Sequence, residues 1–390
     1  MAISGVTLVP SASRTWPLLG LLGVLLGGGL ASAWTMETQG HHITGMNNHI
    51  VWGLPHVCAI FLIVAASGAL NVASVASVFG VESYKKLSPL SALAAIALLA
   101  GGLAVLVLDL GRPDRLVVAI LHQNPFSIFA WNILLYTGFV AVVGVYLWTM
   151  LVRRQNRHTR TAGVVALVWR LVLTTGTGSI FGFLAGREAF HSAVMAPLFV
   201  AASLANGLAV FILVLAGLAV LGGPVPDAAL RRRLGRLLGI LAAASLYFAL
   251  VLHLTWLYAP DSRAVSRFLL LEGGAWPVLF WGGQVLLGTA VPLWLLFRRE
   301  GREVAAATLV ALGGLVQIAV LLIGGQAFPR TILPGWQLHS TFGDGGAATY
   351  VPSLPEALLG ASGFAIALLL VLLGCRLLRI LPDRCAGVPA

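Results

Sequence analysis

Long apolar stretches, broken by short polar connections, run through all 390 residues of the chain. The stretches fall at about 16–36, 50–78, 88–109, 126–151, 163–185, 194–221, 236–258, 276–297, 304–324 and 357–378. Each is close to the roughly 20 residues that an α-helix needs to cross the hydrocarbon of a bilayer. None alternates with period two, so the pattern is helical rather than stranded. Lipid offers no partner to a backbone N–H or C=O, and a continuous helix satisfies its own. The pattern therefore predicts an all-α, polytopic integral membrane protein of about ten transmembrane helices, with no separate soluble domain in 1–390. The first apolar run is too long for a signal-peptide core, so an uncleaved first helix is expected.

Composition sharpens this reading. Apolar residues make up 59% and charged residues 9%, against about 25% charged in soluble domains. That excludes a soluble enzyme, a disordered chain and an ordinary nucleic-acid binder. The net charge of +11 is read as a topological signal. Sorted by alternate connections, 17 Lys and Arg fall on one side and 6 on the other. The rich side holds Arg14, Lys85, Lys86, Arg153–Arg160, Arg231–Arg236, Arg298–Arg302 and the C-terminal Arg376, Arg379 and Arg384. By the positive-inside rule both termini are cytoplasmic. Arg170 belongs to neither set and is expected to snorkel to the inner interface beside Trp169. Cys58, Cys375 and Cys385 show no CxxC spacing, so no iron–sulfur cluster, thiolate zinc site or other metal centre is indicated.

Ionisable groups within spans are functional candidates by default. His56, Asp109, Glu188 and His253 all fall toward the outer face. Asn48, Trp52 and His56 recur every four residues, which on a helix is one face. Trp131, Asn132 and Tyr136 lie near the outer end of the fourth helix, with Asn132 and Tyr136 on one face. His56 and Asn132 each lie about 10 Å inside the boundary, at about 1.5 Å per residue. Asp109 and Arg112 are placed to pair where the third helix ends, with Gly111 and Pro113 favouring a tight turn. Ala65, Ala66, Gly68, Ala69, Ala73 and Ala76 allow close helix contact. The outer connections 37–49, 110–125, 259–275 and 325–356 are rich in Gly, Pro, His and aromatics; the last holds Phe328, Pro329, Trp336, His339 and Tyr350.

The stretch LDLGRPDR, Leu108–Arg115, followed by NPFSIFAWN, Asn124–Asn132, resembles the LGRP region of the NrfD/polysulfide-reductase membrane-subunit (PsrC-like) family. The run NNHIVWGLPHVCAIFLIVAASGALNVAS, Asn47–Ser74, is most similar to the DsrP-type branch, associated with dissimilatory sulfite reductase. The resemblance implies a fold built around NrfD-like four-helix bundles: an additional first helix at 16–36, a quinone-site bundle over 50–151, a second bundle over 163–324 and a last helix at 357–378. It also implies a quinone-reactive subunit, with menaquinone or ubiquinone as bound substrate and no haem or iron–sulfur cluster of its own. It would sit in the inner membrane of a bacterium.

Its implied partner is a periplasmic ferredoxin-like iron–sulfur subunit. The DsrP-type branch adds a haem b membrane subunit, a cytoplasmic iron–sulfur subunit and a periplasmic multihaem cytochrome c. Two departures stand out. The better-known relatives have eight helices, and no Tyr opens the fourth helix here, Tyr136 being deeper.

Quinone chemistry moves two electrons and two protons, so it needs hydrogen bonds to two carbonyls and a titratable group. His56 is expected to serve one carbonyl and exchange a proton, with Asn48 or Asn132 on the other. Trp52 or Trp131 would wall the ring, Arg112 would fix the neighbouring loop and Asp109 would pass the proton outward. Two other readings start from the same residues. One is haem b held between His56 and His253. The other is a secondary transporter, which would place its polar site near the midplane.

Overall fold

A computed structural model describes residues 5–6, 12–329 and 346–382. Among them are ten helices long and apolar enough to cross a membrane. They are α1 (Thr15–Gln39), α2 (Leu54–Ser77), α3 (Ser88–Leu108), α4 (Ile128–Leu151) and α5 (Arg153–Gly182). Then follow α6 (Met195–Val220), α7 (Ala228–Tyr258), α8 (Ala275–Arg298), α9 (Glu303–Ala327) and α10 (Leu354–Leu377). The protein is an all-α, multi-pass membrane protein. Residues 5–6 pair antiparallel with Leu381–Pro382, which brings the two ends to one side, as an even number of spans requires. Arg330, Trp336, His339, Arg384 and Cys385 lie outside the described residues.

α2 is the axis of the molecule. Its most apolar window is 89% buried, against 17% for peripheral α4. It packs against α3, α6 and α10 and also touches α5 and α9, while α7 and α8 lie beyond α6 and α9. A helix buried on every side needs no polar face, which is why α2 reads as uniformly apolar. Its small residues set the contact distance. A Cβ on Gly68 would lie within 1.6 Å of the Ser203 carbonyl oxygen, and one on Gly207 within 2.4 Å of Gly68 Cα.

α2 is interrupted at Leu70, and a side chain causes it. Ser91 Oγ accepts from Ala73 N at 3.1 Å and donates to Ala69 O at 2.7 Å. The hydroxyl thus sits in the ladder where Ala73 N–H would have met Ala69 O, a recognised cause of helix breaks. Arg170 lies beside this break and not at the interface. Its residue is 4% exposed and Nη2 donates to Asn71 Oδ1 at 3.1 Å. Snorkelling fails because Arg170 faces α2 rather than lipid. In α8 and α9, Leu279–Ala290 and Val320–Gly324 are π-helical.

Candidate functional site

The second span begins later than its apolar run suggests. Residues 46–53 are extended or bent, and the helix starts at Leu54. Three causes act together. Gly53 is in an extended conformation, and Pro55 has no N–H to bond back to the Val51 carbonyl, with which its ring would clash in a helix extended upstream. In addition, Gln326 of α9 takes the hydrogen bonds a helix would have made. Its Oε1 accepts from Val51 N at 3.0 Å and Trp52 N at 3.1 Å, and its Nε2 donates to Trp52 O at 3.0 Å. Arg187 holds the same strip, donating to the carbonyls of Gln326 at 3.1 Å and His49 at 2.5 Å. The helical row Asn48–Trp52–His56 therefore does not form. Asn48 is exposed ahead of the helix, while Trp52 and His56 still meet, with ring centroids 6.4 Å apart.

His56 stands in the first turn of α2 and faces the end of α3. Its Nδ1 is 2.8 Å from Asp109 Oδ2. The approach is off-line for a linear hydrogen bond, so the two polar atoms are in close contact without one. Asp109 follows the last residue of α3 as its C-cap and its side chain is 1% exposed. Its second oxygen lies 3.7 Å from His41 Nε2, and the His41 side chain is one-third exposed. A buried carboxylate thus stands between two imidazoles, one facing the interior and one reaching the surface. His41 was not among the residues that the sequence pointed to; only its place in a His-rich outer connection could have raised it. Gly111, at φ 70, gives the turn its shape, and a Cβ there would sit 3.2 Å from His41.

The expected pairing of Asp109 with Arg112 is replaced. Arg112 makes a two-pronged contact with Asp114, Nε to Oδ1 and Nη2 to Oδ2, both at 3.0 Å and exposed. The arginine beside it holds the Asp114 carboxyl below its ordinary range. Arg112 turns outward because the histidines already flank Asp109.

A second buried carboxylate closes the floor. Glu356, fully buried in the first turn of α10, accepts from Gly45 N at 2.8 Å, Ser353 N at 2.7 Å and Tyr350 Oη at 2.7 Å. Tyr350 in turn accepts from Leu54 N at 2.6 Å. Burial, then the hydrogen bond to Glu356, push the Tyr350 hydroxyl well above its ordinary range, and the charge of Asp109 adds to it. There is no room for a side chain at Gly53, where a Cβ would lie 2.5 Å from Glu356 Oε1 and 2.6 Å from Tyr350 Oη.

Aromatic rings wall the other side. Trp52 meets Phe129, Phe181 and Phe190 with centroids 6.5, 5.8 and 6.0 Å away. Trp131 is not in this wall; it is half-exposed at the rim, its Nε1 donating to Pro125 O at 2.8 Å. Asn132 is buried, but its amide joins α4 to α5. Nδ2 donates to Ile128 O and Gly176 O, and Oδ1 accepts from Thr177 at 3.4 Å. Tyr136 reaches the same Thr177 at 3.4 Å. The two remaining ionisable candidates stand apart. His253 is buried between Trp256 and Phe280 and bonded through Nδ1 to Ser266 at 2.9 Å. Glu188 lies in the α5–α6 connection, its carboxyl raised by partial burial and by Asp261.

The elements that meet here are α2, α3, α9, α10 and the connections on the basic-poor side. Residues 42–330, covering most of them, match the family described as polysulphide reductase, NrfD. The chain belongs to that family. Three similar proteins each align over most of its length. An Hdr-like menaquinol oxidoreductase integral membrane subunit from Archaeoglobus fulgidus is 28% identical over 88% of each chain. A putative membrane subunit of dimethyl sulfoxide reductase from Halobacterium salinarum is 28% identical over 95% of this chain and 93% of its own. A selenate reductase subunit from Mesobacillus selenatarsenatis is 21% identical over 74% and 75%.

Proposed function

We propose that this NrfD-family chain is the quinone-reactive membrane subunit of a multi-subunit oxidoreductase, with its site at His56. The reading is carried by one observation: the buried Asp109 carboxylate 2.8 Å from His56 Nδ1, which leaves Nε2 as the nitrogen directed elsewhere. A carboxylate this close to Nδ1 electrostatically favours the tautomer with its proton on that nitrogen. Nε2 is then free to accept a proton from a hydroxyl or, once protonated, to donate to a carbonyl.

The residues fit a flat, two-carbonyl ring. Trp52 and Phe129 offer aromatic faces beside His56, and the His56 side chain is one-fifth exposed. A bound quinone, menaquinone or ubiquinone, supplies the two-electron, two-proton chemistry. His56 binds one oxygen, Asp109 stabilises the charged imidazole, and His41 passes the proton to the outer aqueous phase. The amide hydrogens of Asn132 are already committed, so the second oxygen falls to Asn48 or to a backbone N–H. Arg112, Trp131 and Tyr136 support the loop and helix pair around the site rather than touching the ring.

The relatives described as subunits of reductases and of a menaquinol oxidoreductase support membership of a larger redox complex. The electron partner that suits it is a ferredoxin-like iron–sulfur subunit docked on the outer face. The DsrP-type branch would add the haem b, cytoplasmic iron–sulfur and multihaem cytochrome c subunits, in sulfur metabolism. Both histidines of the alternative haem pair have other partners, Asp109 and Ser266.

His56→Ala tests the site. Loss of a charged hydrogen bond costs roughly 1.5–3 kcal/mol, so quinol-dependent electron transfer should fall by about one to two decades while the complex still assembles. Wild-type turnover with unchanged inhibitor sensitivity in an assembled variant would move the site elsewhere. Co-purification in mild detergent tests the partners.

A further inference from the structure

At the opposite end of the molecule, on the basic-rich side, a cavity of about 900 Å³ opens between the α2–α3 connection, the end of α6 and the start of α7. Its wall is apolar where it enters the bundle. Leu87, Leu90, Leu215 and Leu218 line it; Leu215 is five residues inside the end of α6, about 7–8 Å into the span at 1.5 Å per residue. Gly222, at φ 95, with Pro224 and Pro226 shapes the turn that forms its rim. The cavity thus runs from headgroup depth into hydrocarbon depth.

The charges at the rim are unequal in their commitments. Glu82 is paired with Lys85 at 3.2 Å. Asp227 caps α7, accepting from Leu230 N at 2.6 Å. Of the three consecutive arginines, Arg231 donates to Pro226 O at 2.9 Å and Arg232 pairs with Glu300 at 2.8 Å. Arg233 has no hydrogen bond or ion pair to a described residue, and it lines the cavity beside Lys86. Glu82 is offset by Lys85 and Asp227 is engaged at the start of α7, which leaves the Arg233 guanidinium over a leucine floor. Basic pockets between helices at this depth suit anionic lipid headgroups.

We propose that this cavity binds one anionic phospholipid, its phosphate against the Arg233 guanidinium and its acyl chain along Leu87, Leu90, Leu215 and Leu218. The site lies at the far end of the spans from His56 and does not depend on the quinone reading.

The test uses the full chain reconstituted in nanodiscs containing phosphatidylglycerol and phosphatidylethanolamine. Retained lipid is measured by mass spectrometry after transfer to detergent. Wild-type protein should retain phosphatidylglycerol in preference. Arg233→Gln should lose about fivefold of that preference, the scale of one basic residue near an anionic lipid surface. Arg232→Gln removes the same charge outside the cavity and should retain it. Equal retention of both lipids by the wild type would overturn the proposal, whether or not the variants fold. So would an unchanged Arg233→Gln, or an equal loss in Arg232→Gln. Displacement of the retained lipid by millimolar inorganic phosphate would show a plain anion site and also overturn it.

Discussion

His56 and Asp109 are legible one residue at a time, because each is an ionisable group inside an apolar run and such placement is costly without a use. Their pairing is not legible. Asp109 has an arginine three residues on, and only the fold shows that the histidines reach it first. Glu356 escapes a reading of the sequence for a related reason. The run Ser353–Glu356 reads as the start of a helix, a capping box, and it forms one; nothing local says that the carboxylate also holds Gly45 and Tyr350 from other segments. The Tyr350 hydroxyl, raised by burial and by Glu356, carries a pH signature. Its contribution to stability is complete below the ordinary tyrosine range near about pH 10, and is lost as pH rises beyond it. Tyr350→Phe should therefore lower the thermal midpoint at neutral pH, by an amount equivalent to about 1–3 kcal/mol for the partners left unmet. Its further decline between neutral pH and pH 11 should be shallower than that of the wild type.

For whole elements, the apolar runs located all ten spans, and the largest misses are helix starts that polar residues extend, at α5, which begins at Arg153 rather than near 163, and at α7. The start of α7 is one, where Ala228–Leu234 carries three arginines and still coils because Asp227 caps it. The start of α2 errs the other way, beginning later than its run, and it matters more. An unbroken apolar stretch gives no local sign that Gln326, 274 residues away from Trp52, replaces the helical ladder. Gly53 and Pro55 are the only hints. Gly53→Ala places a methyl against Glu356 and Tyr350, both held by hydrogen bonds. It should destabilise by about 1–3 kcal/mol, the usual range for forced overpacking, and weaken quinol turnover along with thermal stability. A variant with wild-type melting behaviour would show that the strip before α2 yields more easily than its bonds indicate.

At the scale of the whole molecule, the alternation of basic connections was readable because it depends only on counting. The excess of 17 over 6 predicts that reporter fusions after Arg160 and Arg236 score cytoplasmic and one near His339 scores periplasmic. A reversed score at any of them would break the assigned orientation. The arrangement of the spans around α2 was beyond counting, since the pattern of a helix buried on all sides points nowhere in particular.

The strip before α2 has a consequence for how the protein is made. His56 is synthesised early, yet the groups that position it come from residues 187, 326, 350 and 356. Span two must therefore enter the bilayer with its lead-in unfinished, and it stays unfinished until the last helix has left the ribosome. A nascent chain stopped after α8 would hold eight inserted helices and both His56 and Asp109, but no formed site. Under the proposed function, reaction with quinol is thereby deferred until α10 is in place.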